Sequence, residues 1–458
     1  MSFRSRFFSA FLVVVLLCLV LWQGMTMENA GPGNDGGDIL GGKETIHVWY
    51  TDEALTDYMN SRALDFMEEN EQVRIVPTLV SAVEYLETIN EATLHQEVYP
   101  DLYLLTNDSL EKAYLAGLAT EINDPQQKIN TEHFPQASLS AVTYEGKQIA
   151  YPFYYETSVF LYNRTYLDMM AKTKAEALAS QAQADAEAGV EADDEDAEPV
   201  KTVSGADDLI PETFDDILAV ADEYDAPEGV ESILKWDVSD IFYNYFFAGN
   251  YMDIGGETGD DAAIVDICNE QSVACMKMYQ SLNQFFSIEA DETDYDLVLD
   301  EFIQGKTLFT VATTDAFERL SQAKADGTFA WEYGAATMPD ISGDLATRAL
   351  SVTNTVVVNG YSHKQEWANA FASYLTADAD ESLYERTGKL AAVSGVAYDN
   401  PNLSAAMDSY AESVSLPKIM QASNFWVQLE MAYTGIWQGE DADAKMQQLE
   451  EQMLRQIQ

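Results

Sequence analysis

Apolar residues gather in short runs along the first part of the chain. Thr45–Tyr50, Val73–Val80 and Asp101–Leu105 are rich in β-branched and aromatic side chains, a composition that predicts strands. Between these runs the apolar positions take up helical spacing. Tyr58, Leu64, Phe66 and Met67 mark an amphipathic helix that follows a loop and N-cap at Thr51-Asp52-Glu53. A second helix is expected from roughly Ser81 to Gln96. Thr106-Asn107-Asp108-Ser109 should cap a third, which carries Leu110, Tyr114 and Leu118. This βαβαβα order predicts a parallel sheet covered by helices on both faces. Loops at the carboxyl ends of such strands form a ligand crevice, and Asp52, Glu53, Asn107 and Asp108 fall on those loops.

The stretch Tyr151–Tyr162 stands apart, with six aromatic rings, one carboxylate and no basic group in twelve residues. Thr157–Tyr162 has the composition of a buried strand. Pro152 biases Tyr151 to an extended conformation and donates no ladder hydrogen bond, which suits a strand end or crossover. Two readings follow from these residues alone. The segment either passes between two lobes and presents Tyr155 and Glu156 to a cleft, or is a core strand with Glu156 at an exposed end.

Further on, Pro211–Asp216 opens an amphipathic helix to about Tyr224, and Trp236–Asn250 is dense in aromatics, including Phe242, Tyr243 and Tyr245. A helix carrying Cys268 and Cys275 is expected to end near Phe286. Phe302–Thr307 turns into the strand Leu308–Val311, and Thr313-Thr314-Asp315 caps the next helix. Leu350–Asn359 reads as a strand that leads into a helix over Lys364–Leu375, and the end of the chain is helical, with Phe425-Trp426 near its start. Between Leu167 and Leu209 the composition shifts to Ala, Gln, Asp and Glu. Within that stretch, 171–208 reads as an acidic insertion in the second lobe, with a helical start and a solvated loop.

Composition narrows the possible partners. The chain has 458 residues, enough for two or three domains or one large two-lobed fold, and its 47% hydrophobic content supports a full core. With 24 basic and 78 acidic residues the formal charge is −54, which argues against nucleic acid and anionic lipid as partners. Acids spread over every predicted helix describe a solvated surface. Cys268 and Cys275, seven apart in a predicted helix, would share a face about 10 Å apart, beyond disulfide reach. His47, His95, His133 and His363 form no metal-ligand spacing, so neither metal nor cofactor is expected. Arg4 and Arg6 before the apolar run Phe7–Trp22 have the layout of an export signal, over residues 1–24, either cleaved or retained as an anchor. Residues 25–43 form a Gly-rich spacer.

Taken together and in order, several pieces of the chain resemble one family. They are Ile46–Tyr50 with Asp52, Pro100–Asp108, Tyr144–Lys147 running on to Glu156, Leu161–Arg164, Pro211–Asp216, Phe302–Thr307, Ala336–Pro339 and Ser423–Trp426. The sequence is similar to the extracellular sugar-binding proteins of ATP-driven importers, the maltodextrin-binding type. That resemblance implies an α/β, two-lobed periplasmic-binding-protein fold of type II, each lobe a β-sheet flanked by helices, with the ligand cleft at the hinge. Lobe one would comprise 44–154 and about 355–395, and lobe two 155–350 and about 400–458. The implied function is delivery of a mono- or oligosaccharide to a membrane permease at the outer face of the cell membrane, with residues 7–22 as a tether. In the family, Asp52, Asp108 and Glu156 would accept from sugar hydroxyls, Trp426 would stack on a pyranose ring, and Tyr243 lies near another stacking position. Two departures are notable: Leu105 and Asp315 stand where maltodextrin binders carry stacking tryptophans.

The residue chemistry agrees with that implication. Carboxylates accept from hydroxyls in charge-assisted hydrogen bonds, and aromatic rings cover the apolar face of a sugar. Asp52, Asn107, Asp108, Tyr155, Glu156, Tyr243, Asp315 and Trp426 form the candidate ligand site. The same inventory suits a cationic solute such as a polyamine or betaine, through cation–π contact. A surface-tethered glycan-binding or sensory module is a further possibility. A glycoside hydrolase also needs paired carboxylates, but in so acidic a chain such pairs are inevitable and carry no weight. Nucleophile elbow, phosphate loop and metal motif are all absent from the sequence.

Overall fold

A computed structural model describes residues 43–188, 203–419 and 425–457. The predicted export signal, nearly all of its spacer, the most acidic part of the insertion and Ser423-Asn424 lie outside these residues. In chain order the strands are β1 (Glu44–Tyr50), β2 (Val73–Leu79), β3 (Leu102–Thr106), β4 (Thr143–Tyr144), β5 (Lys147–Gln148), β6 (Tyr151–Asn163) and β7 (Ser232–Leu234). They continue with β8 (Asp253–Ile254), β9 (Val265–Asp266), β10 (Thr307–Thr313), β11 (Tyr333–Ala336), β12 (Leu350–Val358), β13 (Leu390–Ala391) and β14 (Val414–Ser415).

The expected βαβαβα unit is present, with β1 parallel to both β2 and β3. Side chains alternate across β1, so Ile46, Val48 and Tyr50 point into the core. The helix Thr56–Glu69 lays Tyr58, Met59, Ala63 and Phe66 on that sheet. Phe66 also meets Phe371 and Tyr374, each with ring centroids 5.2 Å away, on the helix Gln365–Ala377. A segment from late in the chain thus closes a core that began at residue 44.

The sheet is mixed rather than wholly parallel. β12 joins β3 antiparallel, β6 joins β12 antiparallel, and β10 joins β6 antiparallel, giving the order β2-β1-β3-β12-β6-β10-β7. The two expected sheets are therefore continuous through one strand. β6 pairs with β12 as far as Thr157 and with β10 from Ser158 onward. On its other edge it meets β13 at Tyr154 and Tyr155, then β11 from Phe160 to Asn163. The crossover lies in the middle of a strand, and Pro152 sits inside that strand. The register with β12 shifts opposite Phe153, so the missing proline N–H falls at an irregularity instead of breaking a regular ladder.

A second core gathers Trp236, Phe246, Phe247, Tyr279 and Trp437 with the helices Glu270–Phe286, Phe425–Trp437 and Ala442–Ile457. The first core reaches past the strand change, since Leu299, Phe302, Phe317 and Leu320 join it. The helix Phe214–Glu223 starts at a capping box in which the Thr213 and Asp216 side chains bond each other's backbone N–H. Cys268 precedes the helix Glu270–Phe286 instead of lying within it, because Asn269 caps that helix; Cys268 and Cys275 are both free. The helical start of the insertion is real, as Arg164–Ala188 forms one long helix.

Candidate functional site

Strand β6 buries twelve of its thirteen residues, and the exception is Glu156. Alternation puts Tyr154 and Glu156 on one face and Tyr155 on the other. Tyr155 therefore does not share a surface with Glu156. It lies flat on Tyr410, with ring centroids 3.7 Å apart and an interplanar angle of 0°, and its hydroxyl is buried without a partner. The expectation that Tyr155 faces the cleft is corrected: it is a core residue.

Around Glu156 three loops converge. From the end of β1 comes Asp52, whose Oδ1 accepts from Ala54 N at 3.0 Å and whose Oδ2 pairs with Lys389 Nζ at 2.9 Å. That ammonium lies 5.1 Å from the centroid of the Tyr154 ring. From the end of β10 comes Asp315, whose Oδ1 accepts from the Tyr295 hydroxyl at 2.7 Å and from Thr313 Oγ1. Crowding and the nearby Asp315 and Asp52 raise the Glu156 pKa above the usual carboxylate range, while Lys389 opposes them. Glu156 is accessible to water, so the crowding is that of a concave floor and not of a sealed interior. Among the described residues its carboxylate takes no hydrogen bond and no ion pair.

Beside Asp315 the rings of Tyr243 and Tyr295 stack with centroids 4.6 Å apart and an angle of 15°. Burial, Asp240 and Asp315 all push the Tyr243 hydroxyl above its ordinary pKa. Trp426 is half-buried at the start of the helix Phe425–Trp437, which packs on the turn Ile241–Tyr243. Its ring lies 6.1 Å from that of Tyr245. Asp52 and Tyr154 also line a cavity of about 380 Å3 with Thr51, Leu105, Thr106 and Asn354. A larger one, about 520 Å3, lies between the last two helices and holds none of the predicted residues.

Asp52, Glu156 and Asp315 are thus brought together, with Tyr243 next to Asp315. Asn107 is not available to a ligand: it is fully buried, its Nδ2 donates to Leu416 O at 2.8 Å, and its Oδ1 accepts from Thr353 N at 3.0 Å. It fastens the end of β3 to β12 and to the segment after β14. Asp108 is exposed in the 3-10 turn Asn107–Ser109 and takes no part in the group around Glu156. Lys389, Tyr154, Tyr295 and Thr313 were not anticipated. Lys389 arrives through the pairing of β13 with β6, a long-range contact without local signature. Tyr154 was foreseeable, as the residue two before Glu156 on the same face of a strand.

A mixed sheet carried between two lobes by one strand, with an accessible acid-and-aromatic cleft at the change of partners, defines a two-lobed binding protein. Residues 62–411 match the family model for the bacterial extracellular solute-binding protein, and the chain belongs to that family. Membership puts it among exported solute-binding proteins rather than enzymes. No curated protein matches the chain. Several solved structures share its fold. A cyclo/maltodextrin-binding protein complexed with maltotetraose has a TM-score of 0.71 at 17% identity, over 92% of this chain and 99% of the other. An extracellular solute-binding protein from Staphylococcus aureus in complex with maltose has a TM-score of 0.71 at 18% identity, over 90% and 98%. A maltose-binding periplasmic protein from Listeria monocytogenes in complex with maltose has a TM-score of 0.66 at 18% identity, over 91% and 98%. Among the described residues no helix is long and apolar enough to cross a membrane.

Proposed function

We propose that the protein captures a mono- or oligosaccharide between its lobes and hands it to the permease of an ATP-driven importer at the outer face of the cell membrane. Lobe one would be 44–154 with about 355–395, lobe two 155–350 with about 400–458, and residues 7–22 would serve as export signal or tether. The observation that carries this reading is Glu156, the single exposed residue of the strand that joins the lobes, with a carboxylate that has no partner among the described residues. Asp52 and Asp315 flank it, the stacked pair Tyr243 and Tyr295 offers an aromatic surface, and Trp426 stands near Tyr245. Such a set suits hydroxyls and the C–H face of a sugar ring. The maltose and maltotetraose held by structures of the same fold supply the first probes. Leu105 and Asp315 in place of stacking rings point away from a long maltodextrin and toward a ligand gripped more by hydrogen bonds.

A ligand at a hundredfold excess over its Kd should stabilise the folded state by about 2.7 kcal/mol, visible as a raised Tm. Glu156→Gln keeps the shape and removes the charge. Hydrogen bonds to charged acceptors contribute about 1.5–3 kcal/mol, so binding should weaken roughly tenfold to a hundredfold with little change in the Tm of the free protein. Undiminished affinity in the variant would remove Glu156 from the site. A second reading, a cationic solute, is favoured by the imbalance of three carboxylates, Asp52, Glu156 and Asp315, against two cations, Lys389 and Arg319. Spermidine and glycine betaine in the same melting assay decide between the two.

A further inference from the structure

The cation beside Glu156 is Lys389, and its placement is over-determined; the other cation near the group, Arg319, lies over the Tyr295 ring on the Asp315 side. Gly388 ends the helix Ser382–Thr387 in the left-handed region, with φ +70°. That positive φ would strain most side chains, so glycine is the residue that suits the turn there. Lys389 N then donates to Thr387 Oγ1 at 3.1 Å, and the next residue, Leu390, enters the ladder opposite Tyr155 of β6. Held at both ends, Lys389 delivers its ammonium to Asp52 at 2.9 Å and to the face of Tyr154 at 5.1 Å from the ring centroid. Both Asp52 oxygens are thereby engaged, one by Ala54 N and one by Lys389. Asp315 is engaged through Oδ1 alone, by Tyr295 and Thr313. Glu156 is the carboxylate of the three with neither oxygen engaged among the described residues.

We propose that Lys389 is a specificity-determining residue of the cleft: pinned between Asp52 and Tyr154, it serves as a built-in counter-ion that leaves Glu156 the one carboxylate of the floor with both oxygens free and fits the floor to an uncharged, hydroxyl-bearing ligand. The inference rests on the sugar reading above for its ligand, but not for its electrostatics. The charged and titratable groups that face Glu156 are Asp52 from the end of β1, Asp315 from the end of β10, Lys389 from the start of β13 and Tyr154 on β6 itself. With Lys389 removed, three carboxylates crowd one floor with no cation among those groups. Glu156 then holds its proton to higher pH, and an organic cation finds a site where the ammonium stood.

The test is Lys389→Met, which keeps the length and removes the charge, with Lys389→Arg as the conservative control. Titration of the Glu156 carboxyl carbon by NMR in the ligand-free protein, assigned against Glu156→Gln, should give a higher midpoint in Lys389→Met and a near-normal one in Lys389→Arg. Maltose affinity at neutral pH should fall at least tenfold in Lys389→Met and recover in Lys389→Arg, while spermidine affinity rises. A Glu156 midpoint that is the same in Lys389→Met and the unaltered protein overturns the inference, whatever the ligand. If the unaltered protein binds neither maltose nor maltotetraose while the midpoint moves as expected, the sugar reading fails and the counter-ion role stands. A lowered Tm with an unmoved midpoint would reduce Lys389 to a structural tie.

Discussion

The Glu156 face of β6 and the helix Gln136–Val142 packed against that strand each meet a lysine, and the two lysines live in different chemistry. On the Glu156 face, Lys389 has a carboxylate in contact and water nearby. On the Tyr155 face, Tyr410 beneath the Tyr155 ring donates from its hydroxyl to none of the cleft groups; it bonds Ser138 and Thr353. The same helix, Gln136–Val142, meets Lys418, which is fully buried. Its Nζ donates to the carbonyls of Ser140, at 2.8 Å, and Thr258. Burial pulls the Lys418 ammonium down to about 8. Around it Glu145 N donates to Asp260 Oδ2 at 2.6 Å and Gln136 Nε2 to Glu257 Oε1 at 3.2 Å, so the helix and the β4–β5 turn are fastened to the loop 253–261. One face keeps a carboxylate in reserve, and on the other side Tyr410 and Lys418 are committed to internal partners. The first is built to receive a partner; the second is a fastening.

Substitutions can break that contrast. The largest effect is expected from Tyr155→Ala, which empties a fully packed site and loses the stack on Tyr410. By analogy with other large aromatic truncations it should lower stability by about 3–5 kcal/mol, read from urea unfolding. A variant of full stability that fails to bind sugar would return Tyr155 to the cleft. Lys418 gives the next effect, through pH. Its folded pKa of about 8 lies below the ordinary 10.5, so between those values the unfolded chain binds more protons and stability rises with pH. The gain from pH 8 to 10 should be on the order of 2 kcal/mol and should vanish in Lys418→Met, as followed by denaturant midpoints at each pH. A profile shared by both proteins would contradict it.

Trp426→Ala probes the receiving face again. At least tenfold weaker sugar binding is expected, with the Tm of the free protein nearly unchanged because the ring is only half-buried. Equal affinity would confine Trp426 to packing against Tyr245. The smallest effect sharpens the contrast. Tyr155→Phe removes a buried hydroxyl that has no partner, so stability should hold or rise by up to about 1 kcal/mol.

The strands β1, β2 and β3 and their helices were legible because each is specified locally by side-chain type and spacing, and the helix Phe214–Glu223 by its cap of Thr213 with Asp216. Glu156 was legible as the lone charge in an aromatic strand. The pairing of Tyr155 with Glu156 as joint cleft residues was a misreading the sequence itself could have prevented, since neighbours in a strand face opposite ways. Asn107 looked like a loop residue open to ligand; its partners Thr353 and Leu416 are distant in sequence, and only the fold reveals that both ends of its amide are taken. The mixed sheet was hidden for the same reason. β12 and β13 reach β6 from late in the chain, and no local pattern records which strand they will join.

The change of partners between Thr157 and Ser158 has a consequence for cooperativity. Amide protons on either side of that point belong to ladders with different partners, β12 and β10, but to one uninterrupted strand. Opening either ladder frays the other, so the segment should exchange its amides as one slow unit, and the lobes should lose structure together in a single transition. A protein assembled this way is denied the option of coming apart at its middle.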